Sequence, residues 1–133
     1  MGIIIDSSVL IAIERGKLDQ AEFLRRYAGE AVYLSIITAS ELLHGVHRAT
    51  TDDIRQRRSQ FVESLLGSFT LLPVDLAVAR KHAELSATLG AAGNPVGAHD
   101  LLIAATALAY GNKIISRDAR SFPNIPALSF EII

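Results

Sequence analysis

Apolar residues fall in two alternating rhythms along this chain. Gly2–Ile5 is a short unbroken apolar run rich in β-branched side chains, the pattern of a strand buried on both faces of a parallel sheet, and it stops at Asp6. Ser8–Arg15 and Leu18–Ala28 then read as helices separated by Gly16, and Ala31–Ile36 returns to β-branched and aromatic composition, closing a βαβ-like unit. Thr38–Ala49 carries Leu42, Leu43 and Val46 at helical spacing, and Asp52–Leu66 repeats the pattern with Ile54, Phe61, Val62, Leu65 and Leu66, so both are predicted to be amphipathic helices. Phe69–Val74 predicts a third strand, Asp75–Leu89 a helix, and Gly90–Gly97 a turn-rich connection containing Asn94-Pro95. Asp100–Tyr110 is a small-residue apolar helix with Gly111 placed to cap it, and Lys113–Ser116 and Ala127–Ile132 supply the last strands.

Strands alternating with helices over the whole length predict an α/β fold of three layers with a largely parallel sheet. In such sheets ligands bind beyond the carboxyl ends of the strands, where the strand order reverses. The residues immediately after the strands therefore matter most, and here they are acidic.

Composition narrows the class of protein. A length of 133 residues, half of them hydrophobic, predicts a single domain over residues 1–133 with a substantial core. The longest apolar runs fall far short of the roughly 18 residues a membrane span needs, and Asp6 interrupts the N-terminal run, so a soluble, cytoplasmic protein with no membrane contact is expected. The absence of cysteine excludes disulfides, thiolate metal sites and cysteine nucleophiles. A net charge of −1 gives no general attraction to nucleic acid, so contact with RNA would have to come from local basic clusters or bound cations. Arg117 and Arg120 are the basic residues adjoining the acids in sequence; Arg25-Arg26 and Arg48, Arg55, Arg57 and Arg58 read as solvated helix faces, although the helical pair from Thr38 to Leu66 could clamp a substrate or partner.

Asp6 and Asp118 follow strands, while Glu41 and Asp100 are expected in the first turns of helices. Each has a structural alternative: Thr38-Ala39-Ser40-Glu41 fits a capping box, Asp100 sits where a helix dipole favours negative charge, and Asp118 could cap a short turn before Arg120–Phe122. Carboxylates gathered in one cleft repel one another unless a cation neutralises them. Oxygen ligands alone suit magnesium or manganese, and such an ion beside a phosphate points to phosphodiester hydrolysis. Ser7 and Ser116 sit beside the acids and could hydrogen-bond a carboxylate, a metal-bound water or a phosphate, Ser116 being the better candidate. Glu41 and His44 form a single Glu-x-x-His pair, whereas di-iron sites need two. His99 and Asp100, adjacent on a helix, point about 100° apart and are not expected to share an ion.

Ile3-Ile4-Ile5-Asp6-Ser7-Ser8-Val9-Leu10, Thr38-Ala39-Ser40-Glu41-Leu42, and Pro95 through Ala105 with Asp100 at its centre together resemble the PIN-domain family, in particular its VapC-like toxins, across essentially the entire chain. Ile115-Ser116-Arg117-Asp118, followed by Phe122, resembles the family's fourth motif, with one departure: many relatives carry another aspartate just before that phenylalanine, where this chain has Ser121. The resemblance implies a five-stranded parallel sheet flanked by helices and an endoribonuclease that uses magnesium or manganese held by Asp6, Glu41, Asp100 and Asp118, with Ser116 at the site. It further implies RNA as substrate, a homodimer, and a cognate VapB-like antitoxin. Two other classes compete: a PIN fold acting as a catalytically silent binding module, and an aspartate-dependent phosphatase, which would want a second aspartate where Ser8 stands.

Overall fold

The computed structural model describes residues 2–93 and 96–133, so Asn94 and Pro95 in the expected connection lie outside the described residues. In chain order the elements are β1 (Ile3–Ile5), α1 (Ser7–Glu14), α2 (Gln20–Arg26), β2 (Val32–Ser35), α3 (Ile36–His47), α4 (Asp52–Ser68), β3 (Thr70–Leu72), α5 (Leu76–Ala92), α6 (Ala98–Tyr110), β4 (Lys113–Ser116) and β5 (Phe130–Ile132), with a 3-10 turn at Phe122–Asn124 before the last strand. Every strand and helix predicted from the hydrophobic pattern is present.

The five strands form one sheet in the order β3-β2-β1-β4-β5, with every pairing parallel. β1 lies at the centre because its three isoleucines are apolar on both faces: all three are fully buried, Ile3 and Ile5 toward one side and Ile4 toward the other. Ile3, Ile5, Leu34 and Ile115 pack against α1–α4 through residues such as Val9, Phe23, Leu42 and Val62. Ile4 and Ile114 face the opposite layer, where Val78, Leu85, Ile103 and Phe122 meet them. The run Ala104, Ala105, Thr106, Ala107 is completely buried, so small side chains let α6 lie close on the sheet, and Thr106 satisfies its hydroxyl on the Leu102 carbonyl at 2.8 Å.

Chain order and space part company at β1. The chain runs outward from β1 to β2 and β3 on one side, then returns to lay β4 and β5 on the other. The carboxyl ends of β1 and β4 therefore flank the reversal in strand order, which is where an open α/β sheet leaves a crevice.

Candidate active site

The crevice is built around Asp6. Its backbone is extended (φ −74°, ψ 152°), ends β1 and serves as the N-cap residue of α1, yet its carboxylate makes no capping bond. The side chain is instead 4% exposed and turned toward β4, where Oδ2 accepts hydrogen bonds from Ser8 Oγ at 2.6 Å and Ser116 Oγ at 2.9 Å. The two hydroxyls lie 3.3 Å apart and are themselves anchored: Ser8 Oγ accepts from the Arg117 amide at 3.0 Å and Ser116 Oγ from the Asp118 amide at 2.9 Å. Backbone donors thus fill the acceptor side of both hydroxyls and turn their protons onto Asp6. Oδ1 of Asp6 takes no hydrogen bond among the described residues.

Ser8 is the residue the sequence reading missed; Ser7 was considered there, but it is Ser8 that touches the carboxylate. The available signal was its place two residues beyond Asp6, the spacing at which a hydroxyl in a first helical turn reaches back to a carboxylate on the N-cap. Ser116 lies where expected and is fully buried.

Glu41 is displaced from its expected place. Ser35, not Thr38, caps α3 by accepting from the Ile37 amide at 3.1 Å, so the helix begins at Ile36 and Glu41 falls in its second turn rather than its first. The capping-box alternative therefore fails. One turn apart on α3, Glu41 Oε1 and Thr38 Oγ1 are both buried without a hydrogen-bond partner among the described residues. Burial raises the Glu41 pKa above its ordinary value, the negative charge of Asp6 adds to this, the approach of His99 opposes it, and Asp100 raises it further. His99 Nδ1 stands 3.5 Å from Glu41 Oε2.

Asp100 occupies the first turn of α6 as predicted, behind Gly97, which caps the helix without a side chain. Its pKa is also raised, first by burial and then by the charges of Asp6 and Asp118, against the lowering effects of the Ser121 hydroxyl and of His99. Ser121, standing where the resemblance led one to look for a further acid, thus offers Asp100 a hydroxyl instead. Asp118 sits at the rim: its Oδ1 accepts from the Arg120 amide at 2.9 Å and lies 3.5 Å from Arg120 Nε, which is the turn-capping role weighed for it.

The fold accordingly brings Asp6, Glu41, Asp100, Asp118 and Ser116 to one end of the sheet, where Glu41 feels the charge of Asp6 and Asp100, and Asp100 that of Asp6 and Asp118. Among the described residues, no three histidine, aspartate or glutamate side chains converge closely enough to hold one ion in this conformation. The donor set nevertheless fits a hard divalent cation: it is all oxygen, Glu41 Oε1 is buried and unpartnered, and two of the acids are held in mutual repulsion. The cleft also extends away from the acids. A cavity of about 530 Å³ runs from Ser7, Glu41 and His99 along α1 and α3 to Arg15, Arg48 and Arg58, so Arg48 and Arg58, which belong to the helical pair considered as a clamp, line a cleft as well as facing solvent.

A parallel sheet in this order with acids gathered at its switch point defines a class before any relative is consulted: an open α/β domain whose crevice is lined by carboxylates. Residues 3–128 match the PIN domain family, and the chain belongs to that family. Among curated proteins it is 35% identical over 128 residues to Ribonuclease VapC of Rickettsia bellii, covering 96% of this chain and 93% of that protein. Ribonuclease VapC5 of Mycobacterium tuberculosis is 38% identical over 131 residues, covering 98% and 93%. The solved VapBC-5 toxin–antitoxin structure from M. tuberculosis superposes with a TM-score of 0.78 at 34% identity, covering 100% of this chain and 98% of that one. VapBC2 from Rickettsia felis, bound to a DNA fragment from its promoter, shares the fold with a TM-score of 0.88 at 20% identity, covering 100% and 99%. Among the described residues no helix is long and apolar enough to cross a membrane.

Proposed function

We propose that this protein is a magnesium- or manganese-dependent endoribonuclease that acts in the cytoplasm as the toxin of a toxin–antitoxin pair. The ribonuclease reading rests on relatives named Ribonuclease VapC that align over nearly the whole chain, and the antitoxin on structural neighbours that are VapBC complexes. A homodimer belongs to the same reading. The observation within this molecule that carries the chemistry is the buried Asp6 carboxylate, held by two hydroxyls beside two acids whose pKa values are raised.

Asp6, Glu41 and Asp100 would hold the cation, with Asp118 completing the set from the rim. A bound divalent ion at that point would lower the pKa of an attacking water and neutralise charge on the scissile phosphate. Ser8 and Ser116 fix the Asp6 carboxylate by occupying Oδ2, leaving Oδ1 for the ion. Burial of Asp6 and of the Glu41 Oε1 atom reduces screening by bulk water, so charge placed there acts more strongly than it would on an open surface.

The test is incubation of total cellular RNA with the purified, antitoxin-free protein in magnesium, manganese or EDTA, beside the Asp100→Asn protein. Cuts that require the metal and vanish in the variant support the reading. Cleavage that survives EDTA and the substitution overturns it, and no cleavage by folded protein in either metal turns the conclusion to a binding module.

A further inference from the structure

We propose that the cleft leading away from the acids along α1 and α3 is a phosphate-binding track, in which Arg15 and Arg48 take the backbone of single-stranded RNA on one side of the scissile bond. This rests on the ribonuclease reading and extends it to a site of different chemistry. The cavity is continuous with the acid cluster, because Ser7, Glu41 and His99 line one end and the arginines line the other. Its volume of about 530 Å³ lies within the range of pockets that take a nucleotide-sized group.

The track is written on one face of α3. Glu41, His44 and Arg48 stand at i, i+3 and i+7, so they share a stripe, and at 1.5 Å per residue Arg48 lies about 10 Å along the axis from Glu41. A strand whose scissile phosphate met the acids would pass its neighbouring phosphates along that stripe. The third arginine in the cleft is not available for this role. Arg58 donates to the Gly45 carbonyl at 2.8 Å and lies 3.4 Å from Glu14 Oε1, so it ties α4 to α3 and α1 and neutralises the acid that lines this part of the cleft. Arg15 and Arg48 are exposed and, among the described residues, form no ion pair. Two guanidiniums left over beside a cancelled pair make this arm of the cleft positive, in a protein whose net charge of −1 gives no overall attraction to RNA. A guanidinium suits phosphate because its planar fork donates two parallel hydrogen bonds.

The experiment is fluorescence anisotropy of a short, labelled, unstructured single-stranded RNA with the antitoxin-free protein in EDTA, titrated over a range of salt. Magnesium-dependent cleavage is measured in parallel, and thermal melts check that each variant folds. Arg15→Ala and Arg48→Ala should each weaken binding about 5-fold near 0.1 M salt and lower the slope of log affinity against log salt by about 0.7, while Arg15→Lys and Arg48→Lys keep the slope. If the wild-type protein binds and cleaves RNA but the alanine variants keep its affinity and slope, the track is refuted and the ribonuclease reading stands. If the wild-type protein neither binds nor cleaves RNA, both fail. If the alanine variants bind RNA as before but lose a polyglutamate probe, the cleft belongs to an acidic protein segment and the proposal is overturned.

Discussion

The two hydroxyls on Asp6 offer a measurement of how the site is held. Ser8 and Ser116 donate to the same oxygen of a carboxylate that is 4% exposed. If either is replaced by alanine, Oδ2 keeps one donor, and the loss of a single hydrogen bond to a charged group costs about 1.5 kcal/mol. If both are replaced, the carboxylate has no side-chain donor at all. An uncompensated buried charge costs roughly 3–5 kcal/mol, and the positive end of α1, at whose N-cap Asp6 lies, offsets about 1 kcal/mol of the higher value. The double variant should therefore lose about 4 kcal/mol, about 1 kcal/mol more than the two single losses together. Urea denaturation of the four proteins in EDTA gives this coupling directly, and repeating the cycle with Asp6→Asn should abolish it, because no buried charge remains. Losses that add to within about 0.3 kcal/mol in the Asp6 background would refute the shared-oxygen account.

Other consequences are simpler to test. Glu41→Gln and Asp100→Asn should reduce cleavage to background and yet raise the thermal midpoint of metal-free protein by a few degrees at neutral pH. Both folded-state pKa values are raised, chiefly by burial, so the destabilisation is absent below the ordinary carboxylate pKa and grows as pH rises through the raised one; a scan of midpoint against pH should show the variants' advantage vanishing on acidification. Gly2→Ala should destabilise the fold by about 1–3 kcal/mol in urea melts, since a Cβ there would stand 2.6 Å from Tyr33 Cε2 and 2.9 Å from Asn112 Oδ1. The Tyr27 hydroxyl, pushed up to about 12 by burial and by its bond to Glu131, should ionise at lower pH in Glu131→Gln, read as phenolate absorbance with Tyr33 and Tyr110 changed to phenylalanine.

The hydrophobic pattern carried the fold because each layer left a distinct trace. Three fully buried isoleucines announce a central strand, and the small residues of α6 announce a helix lying close on a sheet. The start of α3 is less legible: β-branched Ile36 carries the expected strand one residue too far and puts the expected helix start at Thr38, but Ser35 caps the helix ahead of both. Asp6, Glu41 and Asp100 could be found from position alone, since each stands at a strand end or near a helix start. Ser8 offers only its spacing from Asp6 as a signal, and Arg48 offers none. Ser8 acquires its role only when Ser116 and the Arg117 amide arrive from the far end of the chain, and Arg48 joins the cleft only because α3 packs beside α1. What the sequence withholds is the meeting of residues that lie far apart within it.

That meeting has a consequence for how the protein is made. Asp6 leaves the ribosome before Ser116, which holds it and follows 110 residues later, and β4 must slide in beside β1 before the two can touch. Between those two events the nascent chain carries Asp6 and Glu41 without the hydroxyl of Ser116 or the carboxylate of Asp118 that complete the arrangement. A chain cut short ahead of β4, or one from which β4 and β5 are removed, lacks the strand that pairs with β1 on that side and leaves Asp6 Oδ2 with Ser8 as its one side-chain donor among the described residues.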